Sequence, residues 1–339
     1  MTQLYITIDT EYEPYFASKH GTGSWRENFD QSIDCVTPGG SVGVGFQLDT
    51  FDRHGLKAVF FVDPMPAMLW GVAAIEDVVG PILAKGHDVQ LHLHTEWLAL
   101  AGSANPLGSR TGVNLKDFDF EDQCALIDYA ADVLLSAGAP YPVAFRAGNY
   151  GANDDTLRAL ADLGIEYDTS HCPGFPASPC EISLGADDRQ PVRHFGTTEV
   201  PIGSVGDMLS LRHAQLTALS SDELLAAVEH ARDNAVSNFT MVSHSFELLS
   251  RDRSKINRIV KRRFERLCEG IAEMPGVSTA TYASAPPALA SSPGLWPTLP
   301  ASIKRTAFRM AEQAMVNALY GERTKAAVVP MFALAAMAE

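Results

Sequence analysis

The sequence has few cysteines, and they follow no recognisable pattern. It has no Cys-x-x-Cys pair, and the five residues are spread over 339 positions: Cys35, Cys124, Cys172, Cys180 and Cys268. An odd, unpatterned set in a chain of this length argues against a disulfide framework. It also argues against a structural zinc site built from cysteines.

Basic residues are scarce relative to acidic ones. There are 26 Lys and Arg against 41 Asp and Glu, which gives a net charge of −15 at pH 7. Because nucleic-acid binding depends on clustered basic side chains, this balance argues against a nucleic-acid partner. One short basic run, Lys261–Arg263, lies in a helical pattern, and we predict it to be a solvated helix face.

Long hydrophobic runs are absent as well. No stretch of about 18 uninterrupted apolar residues occurs, so no membrane-spanning helix is predicted. The first residues show no basic leader followed by an apolar run, so we expect no secretory signal and a cytoplasmic protein. The 46% hydrophobic and 20% charged residues are typical of a globular protein with a substantial core.

Short apolar runs typical of strands alternate with helical patterns through most of the chain. The predicted strands are Tyr5–Asp9, Lys57–Val62, Asp88–His94, Val143–Arg146, Ile165–Asp168, Thr198–Pro201 and Thr240–Ser243. Such alternation favours a parallel sheet. Seven strands make a closed or nearly closed α/β barrel the better prediction.

Three helices of this region have recognisable ends. We predict helices over 119–138 and 153–163, and a third that Ser220 opens with a capping box. Two long segments, Glu13–Gly45 and Cys172–Val192, are predicted to be loops. Loops of that length usually form lids or binding surfaces.

The character of the sequence changes after about residue 284. We divide the chain into a barrel (1–284), a Pro/Ser/Ala linker (285–300) and a helical tail (301–339). In the tail, Ile303–Tyr320 carries apolar residues on one helical face, and Ala326–Met337 is short and apolar. We expect the tail to pack on the barrel or on a partner, and its association with a membrane surface stays open.

Polar side chains lie at the ends of several predicted strands. They are Asp9 and Glu11 after the first strand, His92, His94 and Glu96 at the third, Arg146 at the fourth and His244 after the last. The carboxyl ends of parallel strands open onto one face, where such folds bind ligands. These residues should therefore converge, and together they form an inventory typical of a hydrolase.

The segment around His92 predicts a metal site. Strand alternation places His92 and His94 on one face, and imidazole with carboxylate ligands suits Zn²⁺ and related divalent ions. If the chain instead turns helically after His92, Glu96 becomes its neighbour. Both His94 and Glu96 therefore remain candidates.

The other residues suit general acid–base chemistry. Of Asp9 and Glu11, one carboxylate can bind the metal while the other takes a proton from water. Arg146 beside the free carboxylate would keep it ionised. His244 suits the acid that protonates a leaving amine, because imidazole titrates near neutrality. Taken singly, Arg146 could equally form an ordinary ion pair, and His244 could be a buried histidine bonded to backbone.

In order and spacing, these motifs resemble those of the polysaccharide deacetylases, the NodB-homology or carbohydrate esterase family 4 group. The first motif is similar to Asp9-Thr10-Glu11, with one spacer residue, which implies that Asp9 is the base and Glu11 a metal ligand. The second is similar to Gly86–His92. The family's further ligand lies four residues on, where this chain has Glu96, with His94 between, so either is the implied third ligand.

The later motifs also match in order. Arg146–Tyr150 resembles the motif whose arginine positions the base and whose following residues line the pocket, with Asn149 where proline is usual. Tyr167–Ser170 resembles the fifth-strand segment, and Met241–His244 resembles the last motif with its acid histidine. The predicted substrate-binding residues are Tyr150, Asn149, Trp97 and Asp168.

The resemblance covers roughly residues 4–283 and implies a distorted (β/α) barrel with a C-terminal helical appendage. It implies a divalent metal, zinc first, with cobalt, nickel or manganese as alternatives. The implied reaction removes an N-acetyl group from a hexosamine. The match is closest to divergent members associated with lipopolysaccharide and other cell-surface glycan biosynthesis, and the expected cytoplasmic location suggests a precursor as substrate.

Three other functions remain open. The same fold supports allantoinase-like amidases on non-sugar amides or cyclic ureides, whereas a pocket lined by Trp25, Trp97 and Tyr150 would favour stacking on a sugar. The metal-dependent amidohydrolase barrel carries its His-x-His on the first strand. Here that motif follows two predicted strands, which argues against this alternative. A catalytically silent glycan-binding relative would keep the fold and could have unusual metal ligands.

Overall fold

The structure is a computed structural model that describes residues 1–21, 23, 25–208, 210–289 and 297–321. The strands are β1 (Thr2–Thr10), β2 (Val36–Thr37), β3 (Gly40–Ser41), β4 (Val59–Val62), β5 (Asp88–Leu93), β6 (Ala144–Ala147), β7 (Tyr167–Asp168), β8 (Val192–His194), β9 (Thr197–Glu199), β10 (Ser204–Gly206), β11 (Leu211–His213), β12 (Asn238–His244) and β13 (Val277–Thr279). The helices are α1 (Pro14–His20), α2 (Trp25–Ser32), α3 (Val44–His54), α4 (Ala67–Trp70), α5 (Ala73–Ala84), α6 (Phe120–Ser136), α7 (Asp154–Asp162), α8 (Ser221–Asp233), α9 (Arg258–Ala272) and α10 (Ile303–Tyr320). Short 3₁₀ turns lie at Thr95–Ala99, Gly102–Ala104, Leu115–Asp117 and Gly148–Tyr150.

One large sheet organises the molecule. Its strand order is β12-β1-β4-β5-β6-β7-β9-β8, and β13 also pairs with β1. Neighbours from β12 to β9 pair in parallel, whereas β8 pairs antiparallel with β9 at the edge. The seven strands of the parallel run correspond to the seven that the sequence predicts. The α/β fold class is confirmed.

Irregular backbone joins the two ends of this parallel run. Beyond β9, the Gly203 amide donates to the Thr240 carbonyl of β12 at 2.9 Å, and the Ala214 amide donates to the Gly203 carbonyl at 2.7 Å. A Cβ at position 203 would lie 2.7 Å from the Thr240 oxygen, so only glycine permits this approach. The sheet therefore curls into a distorted barrel whose seam is closed by a segment without regular pairing.

The predicted helix starts are confirmed by their caps. Asp119 accepts a hydrogen bond from the Asp122 amide at the start of α6, and Asn153 caps α7 in the same way through Thr156. Ser220 opens α8. Its hydroxyl and the carboxylate three residues on satisfy amides of the first turn, which is the predicted capping box.

Two predictions about surface segments are wrong. Glu13–Gly45 is not a loop, since it contains α1, α2 and the β2–β3 hairpin. Glu13 caps α1 and Pro14 occupies its first turn, a start signal that the glycines and serines of the segment obscured. The basic run is not a wholly solvated face, because Arg263 is buried and donates to the Leu216 carbonyl at 2.6 Å. The predicted loop Cys172–Val192 is confirmed: up to the start of β8 it contains turns and one isolated bridge.

The described part of the tail is helix α10, which packs on the barrel through charged residues. Arg309 is buried, and its guanidinium contacts Glu223 at 3.1 Å and Asp207 at 3.0 Å. Glu312 pairs with the buried Arg263 of α9. The predicted apolar segment Ala326–Met337 lies outside the described residues.

No helix in the described ranges is both long and apolar enough to cross a bilayer.

We predict that the barrel folds without the tail but is less stable. Every strand of the sheet precedes residue 285, so a chain ending at Ala290 should still unfold cooperatively. Arg263 would lose its partner Glu312, and removing one partner of a buried ion pair typically costs about 3–5 kcal/mol. Urea unfolding measures the loss. A chain ending at Gly321 is the control and should keep full stability; aggregation of the shorter chain would contradict an independent barrel.

Candidate active site

Strand alternation directs one set of side chains into the barrel. On β1, Leu4, Ile6 and Ile8 pack in the main core cluster beneath the helices, whereas Tyr5 belongs to a separate inner cluster with Phe61. Successive strand residues point to opposite faces, so Thr7 and Asp9 share the inner face with Tyr5. The same alternation on β5 and β6 places His92 and Arg146 inside. Thus the polar residues of the sequence motifs meet at the carboxyl ends of adjacent strands.

Arg146 is the centre of this inner group. Its side chain is fully buried, and it pairs with Asp9, Nη1 to Oδ1, at 2.5 Å. It also donates to the Thr7 hydroxyl at 2.9 Å and to the Thr169 carbonyl at 3.2 Å, and it stacks over the Phe61 ring. The predicted contact between arginine and free carboxylate is thus present. It holds Asp9 in one orientation.

Glu11, His92 and His94 form a compact cluster of potential metal ligands. One donor atom from each lies within 4.8 Å of the others. The Glu11 Oε2 atom is 2.5 Å from His94 Nε2 and 3.3 Å from His92 Nε2. It is buried and makes no hydrogen bond of good geometry with any described residue. A carboxylate and two imidazoles aimed at one point are the donor set that zinc-type ions take.

The second ring nitrogen of each histidine, Nδ1, has its own hydrogen-bond partner. His92 Nδ1 lies 2.7 Å from the Arg146 carbonyl, which requires a proton on Nδ1 and leaves Nε2 free for a metal. His94 Nδ1 lies 3.1 Å from Glu96 Oε2. The other Glu96 oxygen accepts from the Asn149 amide at 2.9 Å. Glu96 therefore lies behind His94, outside the three-residue cluster.

The backbone explains why His94 joins the cluster. β5 ends at Leu93, but His94 is still extended, with φ −103° and ψ 116°, before the 3₁₀ turn begins at Thr95. Alternation thus continues through His94 and keeps its ring beside that of His92, with ring centroids 4.8 Å apart. The turn begins too late to bring Glu96 to the same face.

Burial and charge set the protonation of this cluster. Burial alone raises the pKa of Glu11, but the neighbouring imidazoles of His94 and His92 lower it well below its usual range. Burial likewise lowers the pKa of His94, and the carboxylates of Glu11 and Glu96 reverse this and raise it well above its usual value. Carboxylate charge thus predominates in this cluster, where a bound cation would take the place of imidazole protons.

Asp63 is a site residue that the motifs did not identify. It follows β4 and is buried, accepting from the Trp97 indole at 2.9 Å and from the Met65 amide at 3.1 Å. Burial raises its pKa to about 6, although the nearby His94 and His92 lower it. Its position at a strand end was the available signal. Asp63 therefore lies beside the two histidines of the cluster.

His244 faces Asp9 across the site. Its Nε2 atom lies 3.8 Å from Asp9 Oδ2, and its Nδ1 atom lies 2.9 Å from Glu247 Oε1. Glu247 is buried, and it accepts from the Ser243 hydroxyl at 3.0 Å and from the Gln215 amide. Burial lowers the pKa of His244, but the hydrogen bond and charge of Glu247 reverse this and raise it to about 9. Neither Glu247 nor Gln215 was predicted from the sequence.

Asn149 and Tyr150 form one edge of the site. Both have left-handed backbone, with φ 57° and 59°, which is costly for a tyrosine and is often found at functional sites. Asn149 is exposed beside Glu96. The Tyr150 hydroxyl is buried without a hydrogen-bond partner among the described residues. Of these two predicted substrate-binding residues, Asn149 lies at the mouth of the site, whereas the Tyr150 hydroxyl lies inside the protein.

The structure does not support substrate contacts for Trp97 and Asp168. Trp97 is fully buried in the core, edge-on to Trp70, and its indole is used by Asp63. Asp168 is fully buried and accepts from the amide and the hydroxyl of Ser170. The sequence placed Asp168 at a strand end correctly, but burial decides the role of both residues. They are parts of the scaffold.

Asp168 belongs to a buried pair of acids behind Arg146. Its partner is Glu199 on β9, which accepts from the His171 amide at 3.0 Å. Burial raises the pKa of both carboxyls, and for Glu199 the charge of Asp168 raises it further, well above its usual range. Both effects disfavour two ionised carboxylates at this place. The pair fixes the backbone after β7, including the Thr169 carbonyl that receives Arg146.

A cleft of about 460 Å³ opens beside the cluster. Its polar wall includes Glu11, His94, Glu96 and Asn149, and its other wall is largely apolar and aromatic, with Tyr12, Tyr15, Leu100 and Phe246. The predicted aromatic Trp25 does not line it; its indole donates to the Tyr12 hydroxyl at 3.2 Å. The aromatic lining thus comes from residues that follow the first motif and β12.

The sequence matches no protein-family model and no curated protein. Three solved structures resemble the fold: a Mycobacterium smegmatis protein described as a polysaccharide deacetylase (16% identity, 86% of this chain and 94% of that chain, TM-score 0.52), a family 4 carbohydrate esterase from Streptomyces lividans in complex with acetate (12%, 88% and 98%, 0.42) and a 4-alpha-glucanotransferase from Thermococcus litoralis (10%, 83% and 39%, 0.48). At such identities a likeness establishes architecture alone. The chain has the fold of the M. smegmatis protein.

Proposed function

We propose that the protein is a metal-dependent hydrolase that removes an N-acyl group from an N-acylated sugar. The observation that carries the proposal is the convergence of Glu11, His92 and His94 beside the Asp9–Arg146 and His244–Glu247 pairs. A candidate metal site, a candidate base and a candidate acid thus lie side by side. The fold, similar to that of a protein described as a polysaccharide deacetylase, supports the same reaction.

Glu11, His92 and His94 would hold the divalent ion, and zinc is the first candidate from the donor set. When bound, such an ion supplies Lewis acidity toward an amide carbonyl and toward water. The chain's own contribution is orientation. The Arg146 carbonyl and the Glu96 carboxylate each fix one imidazole, so both Nε2 atoms face Glu11.

Asp9 is the proposed base. Its Oδ1 atom is engaged by Arg146, so Oδ2 is the oxygen available to accept a proton from the attacking water. The guanidinium holds the carboxylate in place and prevents its rotation toward the cluster. Since Glu11 rather than Asp9 belongs to the cluster, Asp9 is free for this role.

His244 is the proposed acid. An amine leaves an amide only when it is protonated, and His244 Nε2 lies on the open side of Asp9, 3.8 Å away. Glu247 holds Nδ1 and raises the pKa of the imidazole against the effect of burial, so His244 carries its proton at neutral pH. His244 thus starts in the protonation state that a general acid needs.

The proposed substrate is an N-acylated sugar in a cell-surface glycan or its cytoplasmic precursor. A non-sugar amide or cyclic ureide remains the second candidate, because the predicted tryptophan stacking surface is absent: Trp97 is buried. Tyr15, which lines the cleft and is exposed, could stack on a sugar in its place. The decisive experiment screens acyl release from N-acetylated sugar nucleotides, lipid-linked glycans and allantoin, with and without chelator.

Removal of a cluster histidine should empty the proposed metal site. We expect about one divalent ion per chain, lost in His92→Ala and His94→Ala, whereas Glu96→Gln should bind it about 10–100-fold more weakly. Elemental analysis and metal titration measure both. His230→Ala on α8 is the control. An empty site in Glu96→Gln with a full one in His94→Ala would make Glu96 the ligand.

Loss of the base or the acid should lower turnover without emptying the metal site. Asp9→Asn and His244→Ala should each reduce kcat by about 10²–10⁴-fold, the usual contribution of a general acid or base. Metal content and thermal unfolding, measured on the same samples, separate chemistry from collapse of the buried pair. Near-normal activity in both variants would rule out hydrolysis at this face.

The pH dependence of activity should depend on the charge of Glu247. An acid must be protonated, so activity should fall as pH rises through the pKa of His244, about 9 or lower once a cation is bound nearby. Glu247→Gln removes the charge that raises this pKa, and the basic limb should therefore move to lower pH while activity at pH 6 is largely kept. Glu265→Gln on α9 is the control. An unmoved basic limb would exclude His244 as the acid.

A further inference from the structure

Helix α10 exposes an apolar face. At 100° per residue, the half of the helix turned away from the barrel carries Ile303, Phe308, Met310, Met315 and Leu319, interspersed with four alanines. These five large side chains are between 48% and 75% exposed. Among the exposed residues of that half, Lys304 is the single charge. A contiguous exposed apolar surface of this kind usually marks an interaction site.

The barrel does not need this face, because α10 is attached by its other side. Arg309 reaches Glu223 and Asp207, and Glu312 reaches Arg263. Arg309 and Glu312 thus face inward, the reverse of the usual arrangement in a surface helix. The outward apolar residues are left without a partner among the described residues.

Charge indicates what covers the face. Residues 301–339 hold five basic and three acidic side chains, a net charge of +2, whereas the rest of the chain carries −17. The chain then continues for 18 residues beyond Gly321, and Ala326–Met337 contains no charged residue. A second copy of the chain is disfavoured as the occupant, because it would bring a tail of the same net charge, +2, against this one. A cationic, apolar surface complements an anionic lipid bilayer.

We propose that the outward face of α10 docks on an anionic membrane surface. The C-terminal end of the helix is joined to the active-site region: the Tyr320 carbonyl receives the Arg251 amide at 3.0 Å, and Arg253 contacts Glu13 in the cleft wall at 2.9 Å. Docking would therefore place the bilayer near the cleft. The proposal concerns the surface alone and does not rest on the reaction.

Vesicle co-sedimentation of the full chain tests the proposal. We expect binding to vesicles of equal parts phosphatidylglycerol and phosphatidylcholine, and much weaker binding to phosphatidylcholine alone. A triple variant, Phe308→Ser, Met315→Ser and Leu319→Ser, should lose roughly tenfold or more in vesicle affinity, because three apolar side chains no longer enter the lipid. Leu135→Ser, at an exposed leucine of α6, is the matched control and should bind like the parent.

Thermal unfolding should show that all variants remain folded, since the substituted side chains are exposed. No binding of the parent chain, equal binding to neutral vesicles, or undiminished binding of the triple variant would each overturn the proposal. Light scattering tests the alternative that the face is an interface between two copies of the chain. If the parent is a dimer that the triple variant converts to monomer, without vesicle binding, the face is an interface between copies.

Discussion

The ion pair between Arg146 and Asp9 is the constraint on which the site depends. A guanidinium buried inside a barrel must be neutralised and hydrogen-bonded, and breaking such a pair typically costs about 3–5 kcal/mol. Arg146 meets this need through Asp9 and Thr7 on β1 and the Thr169 carbonyl after β7. Its own carbonyl fixes His92. One residue thus orients the proposed base and one proposed ligand.

The surrounding charges make the site a place for a cation. Glu11 lies against both histidines, Asp63 and Glu96 lie against His94, and the nearby guanidinium of Arg146 is committed to Asp9. A proton on the His94 imidazole would balance part of this charge, as the raised pKa of His94 indicates. A divalent ion would balance it with fewer restrictions on pH. The electrostatic design and the donor geometry therefore favour the same conclusion.

The sequence was sufficient for the sheet and for the positions of the motifs, because both depend on local periodicity. Seven strands and three capped helices could be read from short patterns, and strand-end positions predicted that Asp9, His92 and Arg146 converge. The sequence did not identify Glu247 as a partner of His244, because the two residues meet through a turn after β12. It also could not show that Trp97 is buried, since strand-end position does not determine which tryptophan faces solvent.

The C-terminal helix shows the same limit at a larger scale. Periodicity identified Phe308, Met315 and Leu319 as one apolar face, and such a face normally packs inward. Here the acids Glu223 and Asp207 on the barrel require a cation, so the helix turns its arginine inward and its apolar face outward. Amphipathicity therefore predicts which residues share a face. The charges of the surface beneath decide which face is buried.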